Sequence, residues 1–191
     1  MKSNFVKNKL IKVTKDKIIL YEDNKLIKEF KEVYIGKNGF TNDKEEGDMC
    51  TPLGLFNLGF AFGTKNLNIS YPYYQITENS YWVSDSNSKY YNNLVEIKKE
   101  NKKLLYDYIK VSPKKNWKSS EKLTDYPIQY ELALVIEYNM NPIIPNKGSA
   151  IFFHIKNKDF THGCVSTTKE NLLYIIKWLN KDTGKILISN N

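Results

Sequence analysis

The chain has 191 residues, 41% hydrophobic and 26% charged, with a formal net charge of +8 from 29 lysines against 21 acids and no arginine. That length suits one domain with a real core, and the lack of arginine excludes chemistry built on a bidentate guanidinium fork. The lysines are scattered, never more than two in a row, and no nucleic-acid-binding motif accompanies them, so the excess charge reads as a solvated face.

No stretch approaches the roughly 18 apolar residues of a membrane-spanning helix. The start, "MKSNFVKNKLIKV", is positive but lacks the apolar core of a secretory signal. Either the protein is cytoplasmic or a leader lies outside this chain. Residues 10–35 alternate apolar and polar around the turn signals Lys15-Asp16 and Asp23-Asn24, which predicts a β-meander over about residues 1–36. "GKNGF" and "DKEEGD" follow as loops, and "TPLGLFNLGFAFG" reads as a tight turn feeding a strand. Thr51, Pro52 and Gly54 read most simply as turn scaffolding, with Asp48 either capping that turn or orienting a partner. Residues 64–127 are polar and tyrosine-rich, which predicts a binding loop, with mixed helical and extended character over 94–110. "IQYELALVIEYN" and "GSAIFFHI" are strand runs. "TTKENLLYIIKWLNKDTGK" is the clearest helix: Thr167 and Glu170 fit a capping box, Leu172, Ile175, Ile176 and Leu179 share a face, and Gly184 ends it. "KILI" closes with a short strand. One domain over 1–191 is expected.

Both histidines and one of the two cysteines fall within "FFHIKNKDFTHGCVS". Thiol catalysis needs a sulfur nucleophile, a proton acceptor and donors for the developing oxyanion. Cys164 lies a few residues before the helix, whose N-terminus would favour a thiolate. Gly163 lets the backbone come close, His154 ends a strand that can reach across to the sulfur, and His162 shares the turn of Cys164. A zinc site is the rival: Cys164, His162 and His154 could supply three ligands, though no CxxC or HxxxH spacing is present and a fourth ligand would have to be Asp159, Cys50 or Asp48. Cys50 reads as a small buried hydrophobe. No nucleotide-binding pattern is present.

"GSAIFFHI…THGCVS" resembles the active-site motif of the L,D-transpeptidase (YkuD-like) family of peptidoglycan enzymes, and "GDMCTPLGLFNLGFAFGT" resembles its Gly-Asp-x-x-Thr-Pro-x-Gly-x-Phe segment. "YWVSDSNSKYYNN", "SSEKL" and "YELALVIEYN" are similar to stretches of one branch, so the likeness runs from about residue 33 to about 180. The resemblance implies a mainly β, sandwich-like catalytic domain with a short helix after the cysteine. It implies a cysteine acyltransferase acting on peptidoglycan stem peptides outside the cytoplasm, with no cofactor, metal or nucleic acid. Cys164 would be the nucleophile and His154 its base, with His162 and Gly163 shaping the oxyanion site. Tyr81, Trp82, Asp85, Tyr91 and Asn92 would line the substrate groove. Ser166 stands where many members carry asparagine or arginine, and would touch substrate beside the cysteine. The same fold used only to hold cell-wall peptides is the alternative.

Overall fold

A computed structural model describes residues 8–97, 109–111, 116–182 and 184–191. The strands are β1 (Lys9–Val13), β2 (Ile18–Glu22), β3 (Lys25–Phe30), β4 (Phe40–Thr41), β5 (Thr51–Pro52), β6 (Gly54–Gly63), β7 (Tyr73–Gln75), β8 (Ser80–Val83), β9 (Leu94–Ile97), β10 (Ile109–Val111), β11 (Ser120–Lys122), β12 (Ala133–Ile136), β13 (Phe152–Ile155), β14 (Val165–Thr167) and β15 (Gly184–Ile188), with one helix, α1 (Lys169–Leu179), between the last two. A nine-stranded sheet runs β14-β13-β12-β6-β15-β1-β2-β3, with β7 beside β6; β10-β9-β8-β11 form a second sheet, and β4 pairs with β5. The mainly β, sandwich-like expectation holds, with the short helix following the cysteine.

The meander is present as β1–β3, turning at Asp23-Asn24, both at positive φ. Every residue of β12 and β13 is buried, as in a strand covered on both faces. Alternation assigns the faces. Leu134, Ile136, Phe153 and Ile155 pack with the helical face of Leu172, Ile175, Ile176 and Leu179. Ala133, Val135 and Phe152 pack the other way, against Trp82, Leu94 and Tyr130. His154, two residues after Phe152, lies on this second face, where its ring meets that of Tyr130 edge-on at 6.0 Å between centroids.

Three local expectations change. Residues 64–127 supply β7 to β11 instead of one long loop, because "SYWV" and "LVEI" pair antiparallel as β8 and β9; of the stretch 94–110, residues 98–108 lie outside the described residues. The helix is capped by Thr168, whose hydroxyl accepts from the Asn171 N–H at 3.3 Å; Thr167 belongs to β14 and donates its hydroxyl to the Glu32 carbonyl at 2.5 Å. Gly184 does not end the helix. Asn180, at φ 55°, does so, and Gly184 opens β15 where a Cβ would lie 2.5 Å from Leu179 Cδ2. Thr168→Ala is expected to destabilise the protein by about 1 kcal/mol through loss of the cap, read as a shift of the urea midpoint at constant slope.

Candidate active site

Cys164 sits between two backbone constraints. Gly163, at φ 136°, adopts a conformation that L side chains rarely take, and a Cβ there would lie 3.0 Å from the Cys50 carbonyl oxygen. The Cys164 carbonyl accepts two hydroxyls, Thr161 Oγ1 at 2.6 Å and Thr51 Oγ1 at 3.1 Å. Thr51 also takes the Gly36 N–H at 2.8 Å. The segment read as turn scaffolding therefore braces the cysteine turn from behind. Asp48 caps it: its carboxylate accepts the N–H groups of Glu45 and Cys50 at 2.9 and 2.8 Å and pairs with Lys44 at 2.5 Å. Burial works against that charge, but these hydrogen bonds and the ammonium hold Asp48 below the usual carboxylate range.

The thiol is half-buried and lines a cavity of about 230 Å³ with His154, His162, Thr161, Tyr126, Tyr130 and Glu121. Its Sγ accepts the Phe152 N–H at 3.3 Å and donates to the Ala150 carbonyl at 3.2 Å. His154 is buried, and its Nδ1 lies 2.8 Å from the Ile155 carbonyl. A carbonyl only accepts, so Nδ1 carries the proton and Nε2 keeps its lone pair. Burial lowers the imidazole to about 4, the Ile155 carbonyl opposing that shift. Burial likewise pushes the thiol up to about 12; the Glu121 charge adds to the rise, while the Phe152 N–H and Lys44 oppose it.

Burial thus favours a neutral thiol beside a neutral imidazole at rest. This corrects the expectation of a thiolate favoured by a helix N-terminus, since β14 separates Cys164 from α1, which starts at Lys169. Among the described residues the amide N–H groups of His162 and Cys164 make no hydrogen bond, while that of Gly163 donates to Thr161 Oγ1 at 3.1 Å. Two backbone donors thus remain available beside the sulfur. His162 is exposed and stacks on Phe160 at 6.3 Å between centroids.

The groove residues divide. Tyr81 and Asp85 line a second, larger cavity of about 1120 Å³ with Trp117, Glu121 and Tyr126. Asp85 also accepts the Asn87 and Lys118 N–H groups at 3.0 and 2.7 Å, and these hold it below the usual carboxylate range. Trp82, Tyr91 and Asn92 are buried and reach neither cavity. They support the site from behind. Asn92 Oδ1 accepts Trp82 Nε1 at 2.9 Å and the Ala150 N–H at 3.0 Å, and its amide donates to the Tyr138 and Asn139 carbonyls at 3.1 and 2.8 Å. This fixes Ala150 at φ 55°, with its carbonyl on the thiol. Tyr91 donates its hydroxyl to Glu46. Ser166 is buried in β14 directly opposite His154 and lines neither cavity.

Sequence reasoning passed over Glu121, Tyr130, Thr161 and Ala150. Nothing in "SSEKL" or "GSA" marks them, since their roles come from the packing of distant strands. Both cysteines are free. Cys50 is half-buried, its sulfur 3.7 Å from the Asn38 carbonyl. The described residues hold no cluster of three His, Cys, Asp or Glu side chains arranged for a metal, so the zinc arrangement of His154, His162 and Cys164 does not form.

Because the raised thiol stays protonated near neutrality, iodoacetamide labelling of Cys164 in a Cys50→Ser background should rise about tenfold per pH unit from 7 to 9. A rate already level below pH 7 would reveal a thiolate–imidazolium pair instead. Asn92→Ala leaves the Trp82 and Ala150 donors unpaired and should lose about 3 kcal/mol of stability; urea unfolding measures it, and labelling of Cys164 should change in the same variant as Ala150 loosens.

The same fold occurs in two solved structures of the helical cell shape determining protein Pgp2 from Campylobacter jejuni, one of them a point mutant. They show 16% identity, TM-scores of 0.52 and 0.53, and cover 97% of this chain. The chain spans 48% of their length. An L,D-transpeptidase from Mycobacterium smegmatis aligns over 96% of the chain and 59% of its own length, with 11% identity and a TM-score of 0.42. No curated protein matches the sequence. Residues 8–188 match the family model of the L,D-transpeptidase catalytic domain, YkuD, and the chain belongs to that family.

Proposed function

We propose that the protein is a cysteine acyltransferase of peptidoglycan stem peptides. The observation that carries this reading is the small cavity that Cys164, His154 and His162 line together, with the backbone N–H groups of His162 and Cys164 left without a hydrogen bond among the described residues. Cys164 Sγ attacks the carbonyl of a peptide bond that ends in a D-amino acid, and its proton passes to Nε2 of His154. The oxyanion forms against the N–H groups of His162 and Cys164. The C–N bond breaks, the D-residue leaves with the proton from His154, and a thioester remains on Cys164. An amine then takes the acyl group, giving a 3-3 type cross-link, or water does, giving L,D-carboxypeptidation.

Moving the proton during attack suits this pair better than a stored ion pair, because burial disfavours both charged forms. Tyr81 and Asp85 are the groove residues retained in this reading. Action on peptidoglycan places the protein outside the cytoplasm; no helix among the described residues is long and apolar enough to cross a membrane.

Mass spectrometry after incubation with disaccharide-tetrapeptide tests the proposal. The wild type should lose the terminal D-residue from the substrate and carry a transient adduct on Cys164, and Cys164→Ala should do neither. His154→Ala should fall about 10²–10⁴-fold, further than His162→Ala. A carbapenem should acylate the wild type once, at Cys164. A thiol that reacts with maleimide but with neither acyl donor would favour the peptide-binding alternative.

A further inference from the structure

Glu121 has no part in the steps above, yet with Tyr126 it lines both cavities. It lies on β11, in register with Trp82 of β8, and lines the small cavity with Cys164 and His154 as well as the large one with Tyr81, Asp85 and Trp117. Its carboxylate accepts the Tyr130 hydroxyl at 2.5 Å through Oε2, and no other partner holds it among the described residues. In a chain with 29 lysines, none of the described ones pairs with it. The adjacent Lys122 is taken by Glu78 at 2.6 Å.

A carboxylate taken out of water is unfavourable unless a cation or several donors complete it. Here burial pushes Glu121 up to about 7; the Tyr130 hydroxyl opposes the shift and Glu46 adds to it. Its charge also opposes a thiolate at Cys164. An anion at this place hinders the first half of the reaction, so its use lies in the second half, when the sulfur is acylated and carries no charge.

We propose that the Glu121 carboxylate binds the ammonium of the acyl acceptor at the junction of the two cavities and takes its first proton, so that an amine outcompetes water for the acyl group. The inference rests on the acyl-transfer reading of Cys164. The acceptor reaches the thioester from the larger cavity, past Tyr81, Trp117 and Tyr126. Its ammonium gives one proton to Glu121, and the freed lone pair forms the new C–N bond. The C–S bond breaks, a second amine proton passes to the leaving Cys164 sulfur, and the third stays on the amide nitrogen. Glu121 then releases its proton to solvent. The titratable groups that share the two cavities with Glu121 are Tyr126 and Tyr130 from the segment after β11, His154 of β13, Lys158, His162 and Cys164 from the turn after it, and Tyr81, Asp85 and Lys118 on the larger side, with Glu46 acting at longer range. His154 is already neutral near pH 7 and the two tyrosines titrate far above it, so a transition near neutrality in the transfer step that persists in His162→Ala belongs to Glu121.

The test follows the acyl-enzyme formed from disaccharide-tetrapeptide and separates its two fates: cross-linked dimer when the amine of a second tetrapeptide attacks, tripeptide when water does. Glu121→Gln keeps an acceptor for the Tyr130 hydroxyl and removes the charge. It should acylate no more slowly than wild type, while its dimer-to-tripeptide ratio falls about 10²-fold. The wild-type ratio should break downward as pH falls through about 7, whereas Glu121→Gln, which depends on free amine alone, should decline steadily with pH and show no break there. Glu121→Asp, which restores the charge, should recover part of the ratio. An unchanged ratio, or acylation falling in step with transfer, would overturn the assignment. A wild type that forms the adduct but yields tripeptide alone would overturn it while leaving the acyl-transfer reading intact; a wild type that forms no adduct would remove both.

Discussion

The site depends on the double anchoring of the Cys164 carbonyl. With two threonine hydroxyls on one oxygen, the peptide after Cys164 cannot rotate without breaking both bonds. One hydroxyl comes from β5 and the other from the cysteine's own turn, so two segments far apart in sequence fix one peptide plane. Beside that plane the sulfur meets the Phe152 N–H and the Ala150 carbonyl. Gly163 is the complement of this arrangement. A side chain there would push against the Cys50 carbonyl on the same supporting segment. Asp48 and Lys44 stiffen the support further, Lys44 being almost fully buried, with its Cε 3.5 Å from where a Gly163 Cβ would stand.

On this frame the electrostatics favour neutrality. The imidazole is held by a backbone carbonyl instead of a carboxylate, so its hydrogen-bond partner carries no full negative charge to stabilise an imidazolium. The sulfur has a backbone N–H on one side and a carbonyl on the other, and the nearby Lys44 charge is already met by Asp48. Each group carries its charge more easily once a substrate has excluded water and placed a carbonyl against the free N–H groups, since those dipoles act only on an oxyanion that has formed. In the proposed reaction the proton rests on sulfur and moves at the moment of attack.

Much of this was legible in the sequence. Continuous apolar runs marked β12 and β13, the 3.6-residue period marked the helical face, and the grouping of both histidines with Cys164 marked the cavity. What was hidden has physical causes. "VST" after Cys164 is too short to show a period, so the strand between sulfur and helix was missed, and the helix dipole was credited with an effect it is too far away to exert. Trp82 and Asn92 have the residue types of a sugar- or peptide-binding groove. Their hydrogen bonds to each other and to Ala150 turn them inward instead, and only the pairing of β8 with β9 reveals that. Glu121 falls in a strand of three residues beside lysines, where an acid reads as solvent-facing; the fold of Tyr126 and Tyr130 over it is what encloses it.

These placements bear on what can react at the sulfur. A thiolate held ready would be open to small electrophiles and to oxidation, since both follow thiolate character and exposure. A thiol near 12, half-buried between a carbonyl and an amide, is a poor target for either. In the proposed reaction it is activated by a reagent that fills the cavity, puts an acyl oxygen on the backbone donors and brings His154 into line with the departing proton. Selectivity for acyl donors then follows from the same burial that weakens the nucleophile at rest. The enclosing residues serve twice: Tyr130 packs edge-on against His154 and gives its hydroxyl to Glu121, so one buried ring positions the imidazole and sets how strongly the acid holds its proton.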